Sequence, residues 1–239
     1  MQTAPTGLSG RPTGAVVIGA TGGIGRAFVR HLEGSGRFET VIALGRRSHP
    51  ALDLTDEGSI ADCARYIADM NSEIRLVIDA TGWLHDEDFQ PEKTWQQIDP
   101  VHMAISFAVN AIGPALLIKH FAPLLPRDGR SIFATLSARV GSIGDNRIGG
   151  WYSYRAAKAA LNQIVHTAAI ELARKRKLAI CVALYPGTVD TGLSGPFAKA
   201  GLQVQSPQQA VAHMMMVIDG LTPAQSGGFY AWDGTRLPW

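Results

Sequence analysis

Short continuous apolar runs alternate with stretches of helical periodicity along the whole chain. The first run, Ala15-Val16-Val17-Ile18, is apolar at every position, as a strand buried on both faces requires. A helical pattern over 24–32 follows and stops near Gly34 and Gly36. The same reading predicts strands at 40–44, 51–54, 75–79, 131–136, 178–184 and 228–232. Helices are predicted from 54 to about Met70, over 101–125 with a bend at Gly113-Pro114, over 152–174 and over 208–218. In the 152–174 helix, Ala157, Ala160, Leu161, Ile164, Ala168 and Leu172 form an apolar face. Strands alternating with helices predict an α/β fold, a single doubly wound parallel sheet with helices on both faces. No linker or internal repeat divides the chain. One domain is therefore expected over 14–239, after a flexible polar tail at 1–13.

Composition narrows the function classes. The 239 residues are 46% hydrophobic and only 18% charged, enough to bury a core and too apolar for disorder. A net charge of +2 gives no footprint for nucleic acid. The one basic run, Arg174-Lys175-Arg176-Lys177, falls at a predicted helix end, where cations complement the dipole. His85-Asp86-Glu87-Asp88 reads as a solvated polar loop, and no motif with metal-ligand spacing is present. Cys63 and Cys181 are scattered, which suits a reducing compartment. The first thirteen residues lack the apolar core of a signal peptide, and no apolar run approaches the roughly 20 residues of a membrane span. The expectation is a cytoplasmic protein that binds neither nucleic acid nor membrane.

Gly19-Ala20-Thr21-Gly22-Gly23-Ile24-Gly25 lies between the first predicted strand and the first predicted helix. Glycine permits a tight turn and lets backbone N–H groups approach a pyrophosphate, and the helix start adds free N–H groups and partial positive charge. In that position the loop points to dinucleotide binding. The second strand is followed by Gly45-Arg46-Arg47 rather than by an acid. Guanidinium groups bind a 2′-phosphate and an acid would repel it, so the chain favours NADP(H) over NAD(H).

Tyr154 and Lys158 lie four apart on the clearest predicted helix and share a face. A phenol normally titrates near ~10, and a close ammonium can lower that by roughly 1–3 units. Tyr152 has Ala156 four residues on, so Tyr154 is the candidate acid–base.

These residues carry a resemblance. Gly19-x-x-x-Gly23-Ile24-Gly25, Asp53, Asn110, a serine near 137, Tyr154-x-x-x-Lys158 and Pro186-Gly187 occur in the order seen in the short-chain dehydrogenase/reductase family. The segments Leu136 to Ile143, Gly149 to Arg155, Pro186 to Thr191 and Gly234 to Trp239 resemble its C-factor-like branch, which is similar to sniffer-type carbonyl reductases. The resemblance implies that Tyr154 exchanges a proton with a carbonyl or alcohol. It implies that Lys158 holds the nicotinamide ribose and lowers the tyrosine pKa, and that Asn110 positions a relay water. Asp53, with Leu54 beside it, would meet the adenine. Ala80 and Gly82 would line the cofactor, Thr188 and Thr191 would meet the nicotinamide end, and Val189 would supply a backbone contact. A serine would polarise the carbonyl. The family's spacing back from the tyrosine lands on Gly141, and an insertion within 143–151 moves it to Ala138, next to Ser137. Ser137 is the first choice, with Ser142 or no serine as alternatives. The chain also departs from the family in Ile18, where Thr is frequent, and in Asp79-Ala80-Thr81-Gly82, where Asn-Asn-Ala-Gly is frequent.

The expected activity is NADP(H)-dependent interconversion of a ketone, aldehyde or quinone with an alcohol. The substrate would sit between 83–100, 141–151 and 187–206, where Trp83, Trp95, Phe107, Trp151 and Phe197 are available as an apolar lining. The resemblance implies a homodimer or homotetramer packed through the 152–174 and 208–218 helices. Two rival readings are a cofactor-binding signalling protein of the C-factor type and a sugar epimerase or dehydratase. The complete Asn110, Tyr154 and Lys158 set opposes the first, and the short region after Pro186 opposes the second.

Overall fold

The computed structural model describes residues 10–193, 195–197 and 204–239. Six parallel strands form the sheet: β1 (Thr13–Ile18), β2 (Thr40–Leu44), β3 (Glu73–Asp79), β4 (Ser131–Leu136), β5 (Ala179–Tyr185) and β8 (Phe229–Ala231). Their order is β2-β1-β3-β4-β5-β8, with a separate two-stranded ribbon of β6 (Thr188–Val189) and β7 (Val204–Gln205). β1 and β4 are buried along their whole length, which is why they read as unbroken apolar runs.

The period of two sorts each strand between two cores. Val16 and Ile18 face a cluster with Ile60, Cys63, Leu117, Phe121, Leu161 and Val165. Those residues come from α2 (Glu57–Ala68), α4 (Gly113–Phe121) and α5 (Tyr152–Lys175). Ala15 and Val17 face Phe28, Leu32, Val211 and Met214, from α1 (Gly23–Ser35) and α6 (Pro207–Gly220). Phe28, Phe121 and Phe133 have no exposed surface, each worth roughly 1.5–3 kcal/mol of burial. Helix starts are fixed as their sequences demand: Asp56 accepts from Gly58 N–H, and Ser206 and Gln209 form a capping box.

Four expectations need correction. Residues 51–54 are not a strand, and the sheet ends at β2. Their polar groups are used locally: Asp53 Oδ1 accepts from Thr55 N–H and hydroxyl, and Asp53 N–H donates to Ser59 Oγ. The 101–125 helix is a rod of α3 (Pro100–Phe107), a π-helical turn over Ala108–Ile112, α4 and a final 3-10 turn. The irregularity thus precedes Gly113-Pro114 rather than falling on it. Its 25 residues, Pro100–Leu124, are by length and composition apolar enough to cross a membrane, which no apolar run was expected to be. Leu117 and Phe121 instead pack into the core. Thr13, assigned to the tail, already belongs to β1, whereas residues 1–9 lie outside the described residues.

Candidate active site

The connection from β1 runs to β2 on one side, and the chain then crosses back to β3 on the other. A crevice opens at such a switch point beyond the carboxyl ends of the strands. Gly19 follows β1 there and Ala80 follows β3, with Ala80 N–H bonded to Ile18 O at 2.9 Å.

Three glycines of the loop after β1 stand where a Cβ would crowd its neighbours. A Cβ on Gly25 would stand 2.1 Å from Gly19 O, one on Gly19 3.0 Å from the Ala80 carbonyl, and one on Gly23 2.8 Å from Thr191 Cγ2. Gly19 also adopts φ +79°, a left-handed conformation that favours glycine. The N-cap Gly22 supplies no side-chain bond to the first turn of α1. With no N-cap side chain competing for its first-turn N–H groups, the helix start fits a dinucleotide pyrophosphate. Thr21 is exposed, and its carbonyl accepts from Arg26 Nη2 at 3.1 Å. Ile24 packs on the α1 side of the core. Arg46 and Arg47 are exposed beyond β2. Asp53 is also exposed, and its carboxyl is held below the usual range by the Thr55 bonds, with Arg46 adding a smaller pull. Leu54 lies against Gly113, where a Cβ would come within 2.9 Å of it.

Tyr154 and Lys158 occupy the first two turns of α5 with exposures of 8% and 2%. The Lys158 ammonium stands 5.8 Å from the Tyr154 ring centroid and donates to Leu136 O at 2.9 Å. Gly141 permits this approach, because a Cβ there would be 2.8 Å from Lys158 Cβ. Asn110 lies in the π-helical turn, as irregular turns at functional sites often arrange. Its amide accepts from Trp83 N–H at 3.1 Å and donates to Trp83 O at 2.7 Å. A Cβ on Gly82 would lie 3.6 Å from Asn110 Oδ1 and 3.9 Å from Lys158 Nζ. Gly82, Asn110 and Lys158 therefore converge, and Tyr154 joins them from the same helix.

Electrostatics here run against the expected lowering of the tyrosine pKa. Burial pushes the Tyr154 phenol well above its ordinary value, and Tyr185 adds to the rise. Burial lowers Lys158 to about 8, partly opposed by the Asp79 carboxylate. Lys158 faces the tyrosine's ring, and its own charge is costly at this depth. Asp79 is buried too, and burial pushes its carboxyl up; its oxygens accept from Thr135 Oγ1 at 2.6 Å and from Thr81 N–H at 3.0 Å.

Neither serine has an idle hydroxyl. Ser137 is buried and donates to Asn162 Oδ1 at 2.7 Å, so its only proton is directed beneath α5. Ser142 is buried and accepts from Asp145 N–H at 3.1 Å. Ala138, between them, is half-buried. Asn162 was not anticipated, yet it sits four residues after Lys158 on the same face, a buried polar residue beside Leu161 and Val165.

After β5, Pro186 O accepts from Gln205 Nε2 at 3.3 Å, and Gly187 adopts φ +80° where a Cβ would meet that amide at 2.7 Å. Val189 is buried, and Thr191 reaches Gly23, which joins this segment to the phosphate loop. Aromatic rings border the crevice. Trp151 lies edge-on to Tyr154 at 6.3 Å and to Phe197 at 5.2 Å, and Phe197 meets His85 at 5.2 Å. His85 Nε2 lies 3.2 Å from Gly192 O, and Asp86 Oδ1 accepts from Asp88 and Phe89 N–H. Trp95 is 72% exposed, and residues 198–203 of the third expected wall lie outside the described residues. Trp151 sits at φ 55°, ψ 43°, a left-handed conformation costing a bulky residue about 1–3 kcal/mol.

Residues 19–223 match the family model described as enoyl-(acyl carrier protein) reductase. A 1-hydroxy-2-glutathionyl-2-methyl-3-butene dehydrogenase of Rhodococcus sp. (strain AD45) is 31% identical over 237 residues, 94% of this chain and 98% of the relative. The chain belongs to the short-chain dehydrogenase/reductase family. Another relative, the C-signal of Myxococcus xanthus, is 37% identical over 142 residues, 59% of this chain and 81% of that protein. Among solved structures, an NADPH-bound carbonyl reductase from chicken fatty liver matches with a TM-score of 0.83 and 28% identity, covering 96% of this chain and 100% of that one. The Sniffer carbonyl reductase of D. melanogaster, at 20% identity and a TM-score of 0.81 over 96% and 100% of the two chains, shares the fold. The protein is thus an oxidoreductase of the short-chain dehydrogenase/reductase family, with the Rossmann-like sheet of its relatives.

Proposed function

We propose that the protein reduces a small-molecule ketone, aldehyde or quinone to an alcohol with NADPH. The observation that carries this reading is the convergence of Tyr154, Lys158 and Asn110 at the switch point, which also holds the glycine loop crowded at Gly19, Gly23 and Gly25. Gly19, Thr21, Gly23, Ile24 and Gly25 would hold the pyrophosphate. Arg46 and Arg47 would hold the 2′-phosphate, Asp53 and Leu54 the adenosine, and Ala80, Gly82, Pro186, Gly187, Val189 and Thr191 the nicotinamide side. NADPH supplies the hydride when bound.

The chain itself manages one proton. Tyr154 holds it at Oη, and a phenol raised by burial remains protonated throughout the neutral range, as a donor to a carbonyl oxygen must. Lys158, anchored on Leu136 O, fixes the floor beneath the phenol, and Asn110 keeps the rod and the Trp83 backbone in register beside it. Ser137 would have to leave Asn162 before it could polarise the substrate. The aromatic border suits an apolar carbonyl compound. Two buried free thiols fit a reducing cytoplasm. The similar carbonyl reductase from chicken fatty liver is NADPH-bound, in keeping with the arginines beyond β2.

Tyr154→Phe tests the reading. NADPH oxidation with a carbonyl panel should fall at least roughly 10²-fold, with NADPH binding retained. Wild-type protein that binds NADPH but turns over no carbonyl would favour the C-factor type of signalling role. Full activity in Tyr154→Phe would remove the tyrosine from the mechanism.

A further inference from the structure

Glu92 carries a carboxylate with 2% exposure in the segment between β3 and α3, and the chemistry above gives it no task. Its surroundings are built around it. Its oxygens accept the Ser153 N–H at 3.2 and 3.3 Å, Oε1 also accepts the Ser153 hydroxyl, and His102 Nδ1 stands 3.5 Å from Oε1. His102 is itself stacked on Phe89 at 5.1 Å and edge-on to Trp83 at 5.3 Å. The Glu92 backbone carbonyl accepts the Trp151 N–H.

This arrangement caps α5 from another segment. The N-cap Trp151 makes no side-chain cap bond, so the carboxylate satisfies a donor at the helix start and meets the positive end of its dipole. A cap would need the carboxylate alone. Here the same residue's carbonyl also holds Trp151 in its left-handed conformation, after Gly149 and Gly150 at φ +68° and +67°. A Cβ on Gly150 would come within 3.2 Å of that carbonyl, so the 149–151 backbone is folded around Glu92. The two residues it grips flank the site: Trp151 packs against the Tyr154 ring, and Ser153 precedes Tyr154 in the chain. A hydrolytic triad is excluded, because the carboxylate lies between serine and histidine and Ser153 is fully buried.

We propose that Glu92 is a positioning residue that sets the Tyr154 phenol and the Trp151 ring against the carbonyl substrate, by holding Ser153 and Trp151 at once. The inference rests on the reading of Tyr154 as proton donor. Glu92 touches no reacting atom, so its effect belongs in turnover rather than in cofactor affinity.

The test uses the full chain with Glu92→Gln, which keeps the shape and places an amide donor against the donors of Ser153. Amide hydrogen exchange over 149–156, NADPH affinity, and kcat and KM for a ketone reduced by wild type are measured together. Exchange should quicken and kcat fall roughly 10- to 100-fold, as a small misplacement of a reacting group can cause, with NADPH affinity unchanged. Faster exchange with unchanged kcat would leave Glu92 a helix cap and overturn the proposal, as would unchanged exchange. An equal loss of NADPH affinity would also overturn it. Should Glu92→Gln fail to fold, Ser153→Ala decides. A fall in kcat of roughly fivefold, the worth of one hydrogen bond, supports the clamp, and unchanged kcat rejects it. Wild type without turnover defeats the Tyr154 reading and this one together, whereas active wild type with a fully active Glu92→Gln defeats the clamp alone.

Discussion

Lys158 brings an ammonium into the interior, where burial holds it near pH 8 rather than at 10.5. Between those values the unfolded chain keeps a proton that the folded chain has lost, so stability rises with pH across that window. The full cost of the buried charge is present below about pH 8 and amounts to about 3 kcal/mol. Denaturant unfolding at pH 7.5 and 10.5 should therefore show wild type gaining on Lys158→Met by that order; a constant difference would place the lysine at its ordinary value. Arg46 acts at the other end of the crevice. Arg46→Asp should weaken NADPH binding by roughly tenfold or more and leave NADH almost untouched, since one charge-assisted phosphate contact is removed and a repulsion added. Equal losses in parallel titrations would dismiss the 2′-phosphate role. At this scale spacing pointed to Tyr154, Lys158 and the glycine loop, and the family resemblance pointed to Asn110; the structure brings Tyr154, Lys158 and Asn110 together. The sequence did not reveal Glu92, which acts across 61 positions on Ser153 and has no local pattern. Nor did it settle Ser137, because a one-residue change of register in a strand decides which face a side chain takes.

The elements differ in how far local rules determined them. β1, β2, β4 and α6 follow their apolar patterns closely, since each has a core face and punctuated ends. The 51–54 segment has strand-like composition, but Asp53 and Ser59 draw its backbone into a turn. The π-helical turn at Ala108–Ile112 has no composition of its own and arises where Asn110 must reach Trp83. In α5 the buried stripe is rotated toward Tyr154, Lys158 and Asn162, leaving Ala160 and Ile164 only half-buried. The glycine loop gives an element-scale prediction. Gly25→Ala drives a methyl into Gly19 O, and should lower stability by roughly 1–3 kcal/mol and abolish NADPH binding. Gly34→Ala, in the same helix with nothing within 4 Å, should instead raise stability by about 0.5–1 kcal/mol. Thermal melts with and without NADPH separate the two, and similar effects at both positions would show that the loop is not sterically constrained.

For the whole molecule, the α5 and α6 helices leave Ile170 52% and Met216 64% exposed. We propose that these faces join copies of the chain into a dimer or tetramer. Light scattering should then return a mass of two or four times 25.6 kDa, and Ile170→Glu with Met216→Glu should return one. A monomeric wild type would exclude it. The helical rod over Pro100–Leu124 has a consequence for synthesis. It packs against α5, which lies later in the chain and has not emerged from the ribosome when the rod does. For that interval an 18-residue stretch of the rod with a mean hydropathy of 1.8 lacks the helix that will cover it. A nascent chain stalled with the rod outside the ribosome and α5 still inside it should be an avid client of ribosome-associated chaperones, and one extended until α5 has emerged should be released from them.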